Sequence, residues 1–137
     1  MFLLDTRVVS ELRKNRPDPG ITRWFSGQRD DQLYLSVITL GEIEGGIEKQ
    51  RKAHPKFAEE LAAWMERLTQ LYADHVMPVT PDIARRWGRL SAQQGHDGAD
   101  LLIAATALSH GLAVVTRNVS HFEPSGVSVI NPFTPEK

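Results

Sequence analysis

Five short apolar runs, separated by stretches with helical periodicity, constrain the fold of this chain most strongly. They are rich in β-branched and large apolar residues, which is typical of buried strands. Strands that alternate with helices predict right-handed crossovers and a parallel sheet covered on both faces. The expected fold class is therefore α/β, with three α/β/α layers around a central parallel sheet of about five strands. The runs span 2–5 (FLLD), 32–39 (QLYLSVIT), 75–80, 113–116 and 127–132.

Helices are expected between these runs. Thr39 is the predicted N-cap of the helix that follows the second strand, with Glu42 at capping-box spacing. The stretch 99–111 (ADLLIAATALSHG) is apolar nearly all round, which predicts a central helix. The other expected helices are SELRKN, 21–28, 55–74 and 81–95. In the 55–74 stretch, spacings of three and four predict an amphipathic helix with an apolar face made of Phe57, Leu61, Trp64, Leu68 and Leu71.

Length and composition narrow the class of protein. The 137 residues suit one domain, 1–137, without linker or repeat. Since the chain has no cysteine, a metal ion would need oxygen or imidazole ligands. The formal charge of −1 argues against an indiscriminate polyanion binder. No apolar run reaches the roughly 18 residues of a membrane span and the N-terminus does not resemble a signal peptide, so we expect a cytoplasmic protein without membrane association.

Polar side chains follow several of the predicted strands. In an open parallel sheet, the binding crevice forms beyond the carboxyl ends of the strands. Asp5 ends the first strand, Glu42 lies just beyond the second, and Asp100 opens the apolar helix. The polar segment from Thr116 to His121 follows the fourth strand. We expect these residues to meet in one crevice.

Each of the three acids also has a simple structural explanation. Asp5 could cap the first helix, Glu42 could complete a capping box, and Asp100 could interact with a helix dipole. Together, however, three carboxylates in one crevice would repel one another unless a hard divalent cation neutralised them. Oxygen ligands suit Mg²⁺ or Mn²⁺, which can activate water for attack on a phosphodiester. The pattern therefore predicts a nuclease.

Four blocks in order carry a family resemblance: FLLDTRVVSELRK, SVITLGEIEGGI, ADLLIAATALSHGLAVVTRNVSHF and GVSVINPF. Through them the chain resembles PIN-domain ribonuclease toxins of the VapC type, in the FitB-like branch of type II toxin-antitoxin systems. The resemblance implies a PIN-like fold and an endoribonuclease that depends on Mg²⁺ or Mn²⁺ and cleaves RNA. It also implies inhibition by a small cognate antitoxin bound among helices near the site, a homodimeric toxin core and a larger toxin-antitoxin hetero-oligomer.

The resemblance also implies roles for individual residues. Asp5, Glu42 and Asp100 match the acidic metal ligands and catalytic residues of the family. Thr116 matches a catalytic polar residue that would orient a ligand or the attacking water. Thr6 and Ser10 match accessory polar residues around the centre. Independently of the resemblance, basic side chains suggest candidate contacts to the RNA backbone, although charge runs of this kind are also typical of a solvated face. The candidates are Arg7, Arg13, Lys14 and the basic run from Lys49 to Lys56.

Two positions depart from the family pattern. Arg7 stands where relatives have Asn, and its guanidinium could compete with the metal, bind RNA phosphate or point outward. His121 stands where relatives have a fourth acid, and the nearby Glu123 and Asp97 do not match that position. His121 could be a surface-turn residue, a replacement metal ligand or water-holder, or the mark of a site with reduced activity.

Two other functions compete with the nuclease. A chain that keeps the fold but cleaves weakly would act as an antitoxin-binding or co-repressor component. A phosphoacceptor receiver domain also gathers acids at strand ends, but it needs an acid pair after the first strand, an aspartate after the third and a lysine after the fifth. The third strand here reads VMPVT and the fifth VSVINP, which excludes the receiver domain.

Overall fold

A central sheet of five parallel strands organises the chain, and the computed structural model describes residues 1–135. The strand order is β3-β2-β1-β4-β5, so the first strand lies in the middle of the sheet. The predicted five-stranded parallel sheet is confirmed, although every strand is shorter than its apolar run. The strands are β1 (Phe2–Leu4), β2 (Leu33–Ser36), β3 (Val76–Met77), β4 (Ala113–Val115) and β5 (Val129–Ile130).

Seven helices connect and cover the strands of the described residues. Their bounds are α1 (Thr6–Leu12), α2 (Pro19–Ser26), α3 (Val37–Ala53), α4 (Pro55–Tyr72), α5 (Pro81–Gln94), α6 (Ala99–His110) and α7 (Val119–Phe122). Short 3₁₀ turns lie at Asp30–Gln32, Ala73–His75 and Glu123–Ser125. The sequence did not predict α7, because four residues are too few to show a helical period.

Successive side chains along each strand point to opposite faces of the sheet, and their contacts show which helices cover each face. Leu4 of β1 and Val115 of β4 pack with helices α1 to α4 in one buried cluster. Their neighbours Leu3 and Val114 point the other way and pack against α6 and α7. Helix α5 then covers α6 from outside through Ile83 and other apolar residues. The predicted three-layer α/β/α architecture is therefore confirmed.

Helix α6 is the central helix that its composition predicted. Leu101 and all residues from Ile103 to Ala107 are buried. The buried hydroxyl of Thr106 donates a 2.8 Å hydrogen bond to the Leu102 carbonyl, so no polar group in this segment needs water. The helix ends at Gly111, whose φ of 66° is the left-handed conformation that glycine adopts without strain.

The start of α3 differs from the prediction. Ser36 is the N-cap, and its hydroxyl accepts a 3.0 Å hydrogen bond from the Ile38 amide. Val37 and Ile38 read as strand residues because they are β-branched, but they already belong to the first turn of the helix. Thr39 is consequently inside the helix, and Glu42 lies six positions beyond the cap. The capping-box explanation of Glu42 was wrong.

The apolar face predicted for α4 is only partly buried. Leu68 is 6% exposed, and Leu61 and Trp64 pack at the edge of the core. Leu71, by contrast, is 77% exposed and Phe57 38% exposed. Both lie close to the ends of the helix, where no other element covers them as deeply as the middle. No helix in the described residues is both long and apolar enough to cross a membrane.

Two glycines should respond in opposite ways to alanine. A Cβ at Gly20 would meet the Pro132 carbonyl oxygen and lie 2.8 Å from the Thr134 amide nitrogen, so Gly20→Ala must displace the C-terminal segment. Gly45 lies in α3 with nothing near the added Cβ, so Gly45→Ala should stabilise by about 1 kcal/mol through helix propensity. Chemical denaturation measures the change in the free energy of unfolding for both variants. Equal effects from the two substitutions would contradict the close packing around Gly20.

Candidate active site

The carboxyl ends of β1 and β4 form the centre of the site. These two strands are neighbours, with Leu4 opposite Val115, and the chain continues to opposite sides of the sheet from them. Such a switch point leaves a crevice between the loops. Asp5 and Thr116 are the first residues beyond the two strands, and the Asp5 amide donates a 2.9 Å hydrogen bond to the Val115 carbonyl. Backbone pairing therefore fixes both side chains at the crevice.

Asp5 uses its two carboxylate oxygens differently. Oδ1 accepts a 2.8 Å hydrogen bond from the Thr6 amide and so caps α1, as the structural explanation expected. Oδ2 accepts a 2.8 Å hydrogen bond from the Thr116 hydroxyl. Thr116 is itself held by the Asn118 amide, which donates to its hydroxyl oxygen at 2.9 Å. Capping thus accounts for one oxygen of Asp5 and leaves the other for the crevice.

The charge on Asp5 is poorly compensated. The side chain is only 1% exposed. Burial raises the pKa of this carboxyl above its ordinary value, and the nearby charge of Asp100 raises it further. The hydrogen bond from Thr116, the charge of Arg7 and the Thr6 amide act in the opposite direction without cancelling the effect. A buried, repelled carboxylate of this kind favours a bound cation.

Glu42 reaches the same crevice from α3. The Thr6 hydroxyl donates a 2.6 Å hydrogen bond to Glu42 Oε1, and the Thr39 hydroxyl lies 3.1 Å from the same Thr6 oxygen. Thr6 also supplies the amide that Asp5 accepts. One residue of α1 therefore connects two of the three predicted acids, which supports its predicted accessory position.

Asp100 is paired with His121. It lies in the first turn of α6, and its Oδ2 is 2.9 Å from His121 Nδ1. His121 lies on α7 with a side chain that is 55% exposed, while that of Asp100 is 20% exposed. The imidazole thus contacts an acid of the site from an exposed position, and its role stays a prediction.

Arg7 also faces the site. Its Nη1 lies 3.6 Å from Asp5 Oδ2. In the amide orientation that satisfies both groups, the Asn118 side-chain oxygen accepts a hydrogen bond from Arg7 Nε at 3.0 Å. The outward orientation considered for Arg7 was therefore wrong. Its guanidinium partly compensates the charge that a metal ion would neutralise.

Further polar and basic residues line the surface beside Arg7. A pocket of about 230 Å³ lies along α1 and extends to Phe133 in the C-terminal segment. Ser10 lines it one turn beyond Thr6 but makes no hydrogen bond to the carboxylates in the described chain. Lys14 pairs with Glu11 at 2.9 Å. The residues around the pocket are Thr6, Arg7, Ser10, Glu11, Arg13, Lys14, Arg117 and Phe133.

Sequence similarity agrees with this geometry. A family model of the PIN domain matches residues 2–123. The chain belongs to the PIN-domain family. It is 38% identical to VapC ribonuclease Y4jK of Sinorhizobium fredii, over 98% of this chain and 99% of the relative. Toxin FitB of Neisseria gonorrhoeae is 28% identical over 97% and 99%. A structure of FitAB bound to the IR36 DNA fragment has a TM-score of 0.84 at 30% identity, covering 100% and 99%.

The carboxylates of this PIN domain each face another side chain of the same protein. Within residues 1–135, no three His, Asp or Glu side chains are grouped closely enough to hold a metal ion together. Asp5 faces Thr116 and Arg7, Glu42 faces Thr6, and Asp100 faces His121. The donor chemistry still fits a hard divalent cation, because all three acids offer oxygen and Asp5 lacks full compensation. Their assignment as metal ligands stays a prediction.

Three residues around the centre of the PIN domain were missed or undervalued in the sequence. Gln94 donates a 3.1 Å hydrogen bond to the Pro124 carbonyl and so closes one side of the crevice. His96 lines a pocket of about 210 Å³ together with Asp100 and His121. Arg117 stacks 3.9 Å from the Phe133 ring centroid. No local sequence pattern signals these contacts, since each joins segments that are distant in the chain.

The buried charge of Asp5 should reduce stability. Since the pKa is raised from 3.8 in the fold, the folded state binds a proton more readily than the unfolded chain. Stability is therefore lost as pH rises from the unfolded value through the folded one. Asp5→Asn removes the charge and keeps an acceptor for the cap, so its Tm should exceed that of wild type at neutral pH by a few degrees, about 4 °C per 1 kcal/mol.

The difference in Tm between Asp5→Asn and wild type should shrink when the pH falls below about 4, where Asp5 is protonated in both the folded and the unfolded state. Thermal melts between acidic and neutral pH measure it. Asp74→Asn, at an exposed acid in a 3₁₀ turn, serves as the control and should not show this pH dependence. A lower Tm for Asp5→Asn at neutral pH would show that the charge stabilises the fold instead.

Proposed function

We propose that this PIN domain is the toxin of a type II toxin-antitoxin system and a metal-dependent endoribonuclease. The observation that carries the proposal is the buried Asp5 carboxylate at the switch point, repelled by Asp100 and incompletely compensated. The identity of 38% to a VapC ribonuclease over nearly the whole chain supports the reaction class. Hydrolysis of RNA phosphodiester bonds is the reaction that acids in this arrangement suit.

The proposed metal ligands are Asp5, Glu42 and Asp100, with Mg²⁺ or Mn²⁺ as the ion. When bound, such an ion lowers the pKa of water and neutralises charge on the phosphate. The chain's own contribution is positioning. Thr116 fixes the Asp5 carboxylate through Oδ2, and Thr6 fixes Glu42 through Oε1. His121 holds Asp100 through Nδ1, which makes it a positioning residue for that acid.

RNA would enter beside α1, where basic side chains surround the crevice. Arg7, Arg13 and Lys14 all line the pocket next to Thr6. Lys14 is already paired with Glu11 and Arg7 with Asp5, so Arg13 is the best placed of the three to meet phosphate. The run from Lys49 to Lys56 lies at the end of α3 and the start of α4. It would contact only more distant parts of the RNA strand.

The partners follow from the relatives. FitB is named a toxin, and FitAB was solved on a DNA fragment. We therefore propose a cognate antitoxin that inhibits this chain, a homodimeric toxin core, and a larger complex of toxin and antitoxin. An antitoxin side chain that enters the crevice would meet Asp5 and Asp100, the acids whose mutual repulsion a cation relieves.

A weakly cleaving antitoxin-binding or co-repressor component remains the second candidate. The observation that favours it is Arg7, whose guanidinium occupies the neighbourhood of Asp5 where a metal ion would bind. Toxicity separates the two functions. Expression without antitoxin should arrest growth if the chain is an active ribonuclease, and a harmless chain would favour the second candidate.

Cleavage should depend on the acids of the crevice. Purified without antitoxin, the protein should cut single-stranded RNA when Mn²⁺ or Mg²⁺ is added. Asp5→Asn and Asp100→Asn should each lower kcat/KM by about 100-fold or more, because each removes an anionic ligand of the ion that would activate water. Asp74→Asn provides the control for loss of an exposed acid. Undiminished cleavage by Asp5→Asn would overturn the site.

Arg7 should weaken metal binding. Arg7→Asn removes the guanidinium next to Asp5, so the Mn²⁺ concentration that stabilises the fold should fall several-fold, as measured by thermal melts at rising Mn²⁺. Arg13→Gln is the matched control, because Arg13 loses the same charge without contacting Asp5. If both substitutions leave the Mn²⁺ dependence unchanged, Arg7 and the ion do not compete.

A further inference from the structure

Helix α5 carries a cluster of arginines that no role described so far uses. Arg85, Arg86 and Arg89 line one concave surface with Asp82 and with Ser109 near the end of α6. The space they enclose is about 350 Å³. These three arginines, called the α5 arginine cluster below, are positions three and four residues apart on one side of the helix.

The cluster lacks internal compensation. Within the described residues, none of the three arginines forms an ion pair, although Asp82 lies three and four residues before Arg85 and Arg86. Elsewhere a neighbouring acid pairs with the surface cation, as Glu48 does with Arg51 at 2.7 Å. Like charges at these helical spacings repel. The uncompensated positive charge of this surface therefore suits a ligand with several negative charges.

Helix α5 connects the α5 arginine cluster with the neighbourhood of the active site. Gln94 ends the helix and donates to the Pro124 carbonyl at 3.1 Å. It shares a pocket with Asp100 and His121. At about 1.5 Å per residue, Arg89 lies about 7 Å and Arg85 about 14 Å along the axis from Gln94, the length of a few phosphodiester units. One strand of nucleic acid can therefore contact both places.

We propose that the α5 arginine cluster binds phosphates of the RNA strand whose reacting bond lies at Asp5 and Asp100. The proposal rests on the ribonuclease function proposed above and identifies a second contact region for that substrate. Guanidinium groups present paired donors that match phosphate oxygens, and the Ser109 hydroxyl adds another donor. This region lies on the face of the sheet opposite α1, so RNA would cross the crevice from the Arg7 side to α5.

Binding is tested in the Asp5→Asn background, which separates it from cleavage. The probe is a labelled single-stranded RNA of about 15 nucleotides, followed by fluorescence anisotropy between about 50 and 200 mM salt. The test variant carries Arg85→Gln, Arg86→Gln and Arg89→Gln. The matched control carries Arg23→Gln, Arg29→Gln and Arg67→Gln, which removes the same charge from exposed arginines on other elements.

The test variant should bind RNA about tenfold or more weakly at about 0.1 M salt. Its slope of log affinity against log salt should fall by about 2, because each phosphate contact on a single strand contributes about 0.7. The control should change little in either quantity. Equal losses in the two variants would overturn the proposal, since net charge alone would then explain them. If the triple variant fails to fold, Arg89→Gln alone should lower the slope by about 0.7.

Two further measurements distinguish the possible causes of failure. With Asp5 intact, the test variant should raise KM for a long RNA and cut a dinucleotide as well as wild type, because the short substrate cannot reach α5. Absence of any cleavage by wild type would contradict the proposed function, while the binding assay would still decide the role of the cluster. A polyglutamate peptide that binds through the same arginines as tightly as RNA would overturn the RNA assignment and favour an acidic protein partner.

Discussion

The buried carboxylate of Asp5 is the constraint on which the site depends. It lies at the end of the central strand, where backbone pairing with β4 leaves it no freedom to reach solvent. Burial and Asp100 make its charge unfavourable, and only Thr116, Arg7 and the Thr6 amide reduce that effect. A protein selected for stability alone would have a neutral side chain here. A charge that destabilises the fold at this position fits the proposed role of Asp5 in binding a cation together with Asp100.

Hydroxyl groups do much of the positioning around that charge. Thr116 holds Asp5, and Thr6 holds Glu42 while donating its amide to Asp5. Neutral donors of this kind fix a carboxylate without neutralising it, so its affinity for a cation is kept. Arg7 and His121 act differently, because the guanidinium adds positive charge beside Asp5 and the imidazole contacts Asp100 through a ring nitrogen. These two departures from the family pattern both contact acids of the crevice, and they modify a site whose identity the acids define.

The distribution of charge makes a formal charge of −1 compatible with the proposed RNA substrate. A surface that is basic everywhere would bind any polyanion, whereas this chain pairs several of its surface cations with a neighbouring acid. Arginines without an ion pair among the described residues remain on α5, and Arg13 lies with Arg7 at the pocket along α1. The α1 residues lie next to the acidic crevice, which by itself would repel phosphate, whereas the α5 arginine cluster lies about 7 to 14 Å along its helix from Gln94. In the proposed function, these local basic surfaces would guide the RNA strand to a centre that accepts it once a cation is bound.

The sequence alone determined the alternation of strands and helices, and with it the parallel sheet and the strand ends where Asp5 and Thr116 lie. It could do so because apolar periodicity reports burial along each segment, and because the strand-end rule depends on topology more than on detail. The sequence could not determine where α3 begins, since Val37 and Ile38 favour a strand locally and only their place in the fold makes them helical. Only the tertiary structure decided that Arg7 faces Asp5, that His121 holds Asp100 and that Gln94 brings α5 to the crevice. These contacts join residues distant in the chain or depend on side-chain direction, and neither property is written in a local pattern of amino acids.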